Sequence, residues 1–148
     1  MLFRSGSNGR TKDVGRPAVR QRAVMIVEPN ANVQETLRNQ FKQEGFRVLV
    51  TTDPDRPASM FADANQKPDC VIFSTLTLGE EALRAFNEFG DMASTSAVPA
   101  VLLLGHRHHD WASRAKTTEW RTTVPTPIKM KRLLALLDKL TPADAAKS

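Results

Sequence analysis

The chain alternates between two hydrophobic periods. AVMIV (23–27), CVIF (70–73) and VPAVLLL (98–104) are continuous apolar runs, FRVLVTT (46–52) alternates and is β-branched, and WRTTV (120–124) is a shorter fifth run. Short runs of this kind, bounded by Pro, Gly, Asn or Asp, predict strands. Between them the period becomes helical. Val33, Leu37 and Phe41 recur every four residues after Asn30 or Asn32 as N-cap and before Gly45 as C-cap. DPDRPASMFADANQ (53–66) is a weaker helix with Met60, Phe61 and Ala64 facing in, and Gly79–Phe89 is a third with Leu83 and Phe86 inward. Trp111–Thr117 is expected to be a short fourth helix. Pro125 and Pro127 then break the chain before KMKRLLALLDKL (129–140), whose Leu133, Leu136, Leu137 and Leu140 line one face.

A strand followed by a helix, five times over, with strands that read as buried on both faces, predicts an α/β fold with a five-stranded parallel sheet. Right-handed crossovers and this length fit the flavodoxin-like, doubly wound (βα)5 order 2-1-3-4-5. Sites in such sheets lie at the carboxyl ends of the strands. The residues there are Glu28, Ser74, Leu104 to His106, and Thr126.

Composition changes this picture little. The 148 residues allow one domain with a sizeable core, and 41% hydrophobic with 25% charged residues is ordinary globular composition. The net charge of +5 is carried by residues 1–22, where Arg4, Arg10, Lys12, Arg16, Arg20 and Arg22 face only Asp13, and residues 23–148 are neutral. Residues 1–21 are therefore expected to be a disordered basic tail, 22–141 the folded domain, and 142–148 a tail or linker. The body offers nucleic acid no basic surface by composition, while the tail could attract phosphate-bearing polymers or acidic lipid weakly. The single cysteine, Cys70, sits inside an apolar run and reads as a small buried hydrophobe. No apolar run is long enough to span a bilayer and no signal peptide is visible, so a cytoplasmic setting is expected.

At the strand ends the sequence resembles the receiver domain of two-component response regulators, over about residues 22–141. VMIVEPNANVQETLRNQFKQEGFRV is similar to that family's first strand and helix, KPDCVIFSTLTLG to its third strand, VPAVLLLGH to its fourth, and VPTPIKMKRLLALL to its last strand and the Lys-Pro turn into helix five. The resemblance implies an acidic pair holding Mg²⁺, an aspartate phospho-acceptor, a Thr or Ser binding the phosphoryl group, and a Lys pairing with it. Such chemistry needs cations on the phosphoryl oxygens and hard oxygen ligands for the metal. This chain departs from that set. The acidic pair corresponds to Glu28-Pro29, the acceptor to Ser74, the hydroxyl to Leu104, the Lys to Thr126, and the aromatic switch position to Thr123.

The resemblance therefore implies a pseudo-receiver: a non-enzymatic, phosphorylation-independent module of a bacterial signalling pathway, with no metal and no cofactor. Its partners are expected to be other signalling proteins or a second copy. Contact is expected through the face of the fourth helix, fifth strand and fifth helix, which carries Trp111, Arg114, Trp120, Lys129, Met130 and Lys131. One alternative is a small-ligand sensor using Glu28, Ser74 and Thr126. Another is a hydrolase with Ser74 as nucleophile, His106 as base and Glu28 orienting it, although no Gly-x-Ser-x-Gly turn surrounds the serine. The GHRHHD run (105–110) has neither the His-x-x-x-His nor the Cys/His finger spacing of a metal site and reads as a polar loop.

Overall fold

Every apolar run becomes a strand: β1 (Ala23–Val27), β2 (Arg47–Thr51), β3 (Cys70–Ser74), β4 (Ala100–Leu104) and β5 (Arg121–Pro125). All pair in parallel, in the spatial order β2-β1-β3-β4-β5, which is the expected 2-1-3-4-5. The computed structural model describes residues 21–63 and 67–140. The expected tail over 1–21, apart from Gln21, and the expected tail or linker over 142–148 lie outside the described residues.

Because side chains alternate along a strand, each central strand feeds two cores. On one face Val24, Ile26, Ile72, Val101 and Leu103 pack with Leu37 and Phe41 of α1 (Ala31–Gln43) and with Leu133 and Leu137 of α5 (Met130–Leu140). On the other, Met25, Val27, Phe73 and Leu102 pack with Phe61 of α2 (Arg56–Asp63) and with Leu83, Phe86 and Phe89 of α4 (Glu80–Asp91). Asn30 caps α1 by accepting from the N–H groups of Asn32 and Val33 at 2.9 and 3.1 Å. Two residues past the end of α1, Gly45 at a φ of +90° lets the chain reverse so that the Phe46 N–H reaches the Phe41 carbonyl at 3.0 Å.

Two segments depart from the sequence expectation. The third helix is preceded by a separate turn, α3 (Thr75–Leu78), and Gly79 at φ +61° redirects the chain between the two. The Thr-Leu-Thr-Leu alternation carries no helical period, and what starts the turn is Ser74 acting as its cap. The expected helix over Trp111–Thr117 is instead a 3-10 segment, His106–Arg114, kinked at His108. Only Trp111 and Ala115 touch the core there. One apolar pair gives no stripe for an α-helix to bury, so the tighter, poorly bonded turn suffices. The fold leaves β2 and β5 as sheet edges and gathers the ends of β1, β3, β4 and β5 at one rim.

Candidate functional site at the strand ends

Pro29 follows Glu28 directly after β1, and it has no N–H to continue the ladder. The chain turns there, and the Asn30 N–H donates to Glu28 Oε2 at 2.8 Å. The other carboxylate oxygen, Oε1, accepts from Ser74 Oγ at 2.5 Å. Ser74 Oγ in turn accepts from the Leu76 N–H at 3.2 Å. Both side chains are fully buried, and the Gln34 side chain donates to the Glu28 carbonyl. A buried carboxylate is tolerated only when its oxygens meet donors, and here each has one. The hydroxyl at position 74 supplies a donor to the carboxylate beside it.

The neighbouring strands are tied in the same manner. Thr75 Oγ1 donates to the Leu103 carbonyl and accepts from the Gly105 N–H, both at 2.8 Å, joining the start of α3 to the end of β4. Thr126 donates to the Leu104 carbonyl from both its N–H and its hydroxyl, each at 3.0 Å, and the Thr126–Pro127 bond is cis. Leu104 is buried among Phe73, Phe86 and their neighbours, so its side chain belongs to the core. Glu28 and Ser74 are thus brought together, whereas Leu104 and the Thr126 hydroxyl are directed elsewhere. Thr75 was readable only as a flanking residue, since its role depends on β4 lying alongside.

These residues do not fit a magnesium ion. Mg²⁺ requires near-octahedral oxygen ligands, usually with carboxylates among them. Glu28 is the one carboxylate among the residues that end those four strands, and both its oxygens are engaged. Nor is a serine nucleophile assembled: Ser74 Oγ donates directly to Glu28, and His106 instead meets His109 edge-to-face at 5.7 Å. Among the described residues no group of three His, Cys, Asp or Glu side chains could hold a metal ion.

The expected partner face divides in two. Trp111 is half-buried on the α4 side of the sheet, stacked on His108 at 3.9 Å, with the Arg114 guanidinium 5.4 Å from its ring centre. Met130 packs on the opposite core, beside exposed Lys129 and Lys131. Trp120 and Thr123, both half-buried, lie at β5 between these halves. A residue not anticipated is Arg121, the largest fully buried side chain. Its Nη2 donates to the Phe86 carbonyl, its Nε to the Lys116 carbonyl at 3.3 Å, and its guanidinium covers the Phe86 ring at 4.0 Å. Burial lowers its pKa to about 10, with Asp91 opposing. Gly90 makes the room: a Cβ there would collide with the Arg121 guanidinium. The pair Gly90 in a helix and Arg121 in a strand was the available signal.

No helix among the described residues is long and apolar enough to cross a membrane. No family model and no curated protein matches the chain by sequence. Solved structures do match. The receiver domain of a sensor histidine kinase from Pseudomonas aeruginosa, with a magnesium ion coordinated in its active-site cleft, is 16% identical with a TM-score of 0.67, covering 82% of this chain and 98% of that one. The signal receiver domain of a histidine kinase from Syntrophus aciditrophicus is 18% identical over 80% and 89% of the two chains, with a TM-score of 0.64. A response regulator receiver protein from Sinorhizobium medicae is 16% identical over 84% and 97%, with a TM-score of 0.63. Sheet order and these likenesses agree: the chain is built on the fold of the response-regulator receiver domain.

Proposed function

We propose that this chain is a pseudo-receiver, a phosphorylation-independent interaction module of a bacterial, cytoplasmic signalling pathway. The observation that carries this reading is the buried hydrogen bond from Ser74 Oγ to Glu28. Where a phospho-acceptor needs a free carboxylate beside a metal, this rim has a carboxylate already matched by a hydroxyl and a main-chain N–H. Phosphoryl transfer also needs cations around the transferred group. Positions 104 and 126, a leucine and a threonine bonded to a main-chain carbonyl, bring none. Output then falls to the surface, through other signalling proteins or a second copy meeting Trp111, Arg114, Trp120, Lys129, Met130 or Lys131. The small-ligand reading is weaker, because the polar groups it would use on Glu28, Ser74 and Thr126 already bond to one another or to the backbone.

The test is an NMR titration of the ¹⁵N-labelled chain with Mg²⁺ and beryllofluoride, and then with acetyl phosphate. The expected result is no saturable shift at Glu28, Ser74 or Thr75. Saturable shifts centred on Ser74 would overturn the reading.

A further inference from the structure

The outer edge of β5 is partly closed and partly open. Pairing with β4 uses the main-chain groups of Trp120, Thr122, Val124 and Thr126, so Arg121, Thr123 and Pro125 turn theirs outward. Thr118 bonds to both the N–H and the C=O of Arg121, at 3.2 and 3.1 Å. Pro125 has no N–H. Between these two guards Thr123 presents one donor and one acceptor, and Pro125 adds a carbonyl.

Beside this opening runs a groove of about 270 Å³, lined by Thr123, Val124, Pro127, Lys129, Arg132 and Leu136 among others. Its only charged lining residues are cations. Lys129 and Arg132 are exposed, three residues apart and so on one side of the helix start, and among the described residues neither side chain has an acidic partner. The acid nearest in sequence, Asp138, is taken by Arg22 at 2.9 Å.

We propose that this groove receives an extended acidic segment of a partner protein. The segment lies along β5, exchanges main-chain hydrogen bonds with Thr123, sets an apolar side chain against Val124, Pro127 and Leu136, and places carboxylates on Lys129 and Arg132. Strand addition supplies the main-chain part and the two cations select the charge. Pro125 and the Thr118 bridge limit the paired stretch to a few residues, which keeps the edge from pairing indiscriminately. The proposal rests on the interaction-module reading and narrows it to one partner chemistry.

The experiment titrates the ¹⁵N-labelled full chain with an acetylated, amidated octapeptide of alternating Val and Glu, and in parallel with its Val-Lys counterpart. Saturable shifts at Thr123, Lys129 and Arg132 with the acidic peptide alone are expected. They should weaken with added salt and weaken about tenfold in a Lys129→Glu, Arg132→Glu double variant, two exposed charges that do not hold the core. Equal binding of both peptides, or no shift at Thr123, overturns the proposal. Concentration-dependent shifts at these residues without peptide also overturn it, in favour of a second copy of the chain. Beryllofluoride shifts at Ser74 in the same sample would instead remove the interaction-module reading and leave the groove titration standing, so the two failures are distinguishable.

Discussion

Ser74 and Glu28 form a pair whose members are each satisfied by the other. Removing only the hydroxyl leaves Glu28 Oε1 buried without a donor, which costs about 1–3 kcal/mol. Ser74→Ala should therefore lower the urea midpoint. Adding Glu28→Gln to it, which replaces the stranded charge by a neutral amide, should return part of the loss. A double-mutant cycle in urea is expected to give a coupling of about 1 kcal/mol or more. Strictly additive effects would mean the contact does not stabilise the fold. The sequence placed both residues at strand ends and gave each a polar type. It could not give the bond, because the two are 46 residues apart and meet only when β1 and β3 pair.

At the scale of elements, α4 and β5 are held together by Arg121 lying over Gly90. Alanine at a helix position is ordinarily favoured over glycine by up to about 1 kcal/mol. Here its Cβ would collide with a guanidinium fixed by two carbonyls and an aromatic ring. Gly90→Ala should destabilise the protein with Arg121 present and stabilise it in an Arg121→Ala background. That reversal of sign is measurable by thermal unfolding; the same sign in both backgrounds would exclude the steric account. The strand and the helix were each legible from their apolar period. Their contact was not, since arginine at the start of a strand is ordinarily solvated. The 3-10 segment makes the same point: a helix was expected over Trp111–Thr117, and the packing surface decided its pitch.

For the whole molecule, alkaline pH tests how tightly the sheet is sealed. Burial, with Asp69 adding to it, pushes the Cys70 thiol from its ordinary 9.0 up to about 12. The folded chain therefore keeps a proton that the unfolded chain loses above pH 9. Stability is unaffected by this group below pH 9 and falls as pH rises through the 9–12 window. Arg121 acts oppositely, but only above about pH 10, where the folded chain begins to lose its proton before the unfolded one does. Between pH 8 and pH 10 the wild type should lose about 1 kcal/mol relative to Cys70→Ala. Parallel pH profiles would show the thiol to be solvated. A buried, protonated thiol is a poor nucleophile, in keeping with its place as a small core side chain.

Sequence alone was enough for the number and parallel order of the strands and for the uncharged residue types at positions 74, 104 and 126, because hydrophobic period and residue type are local. The tertiary structure decided what those positions do. Ser74 donates to Glu28, Thr75 and Thr126 bind the end of β4, Arg121 is buried against Gly90, and Thr123 faces outward beside two exposed cations. Each depends on strands brought together from distant parts of the chain. Hydrogen-bond partners of that kind have no signature in the spacing of one sequence.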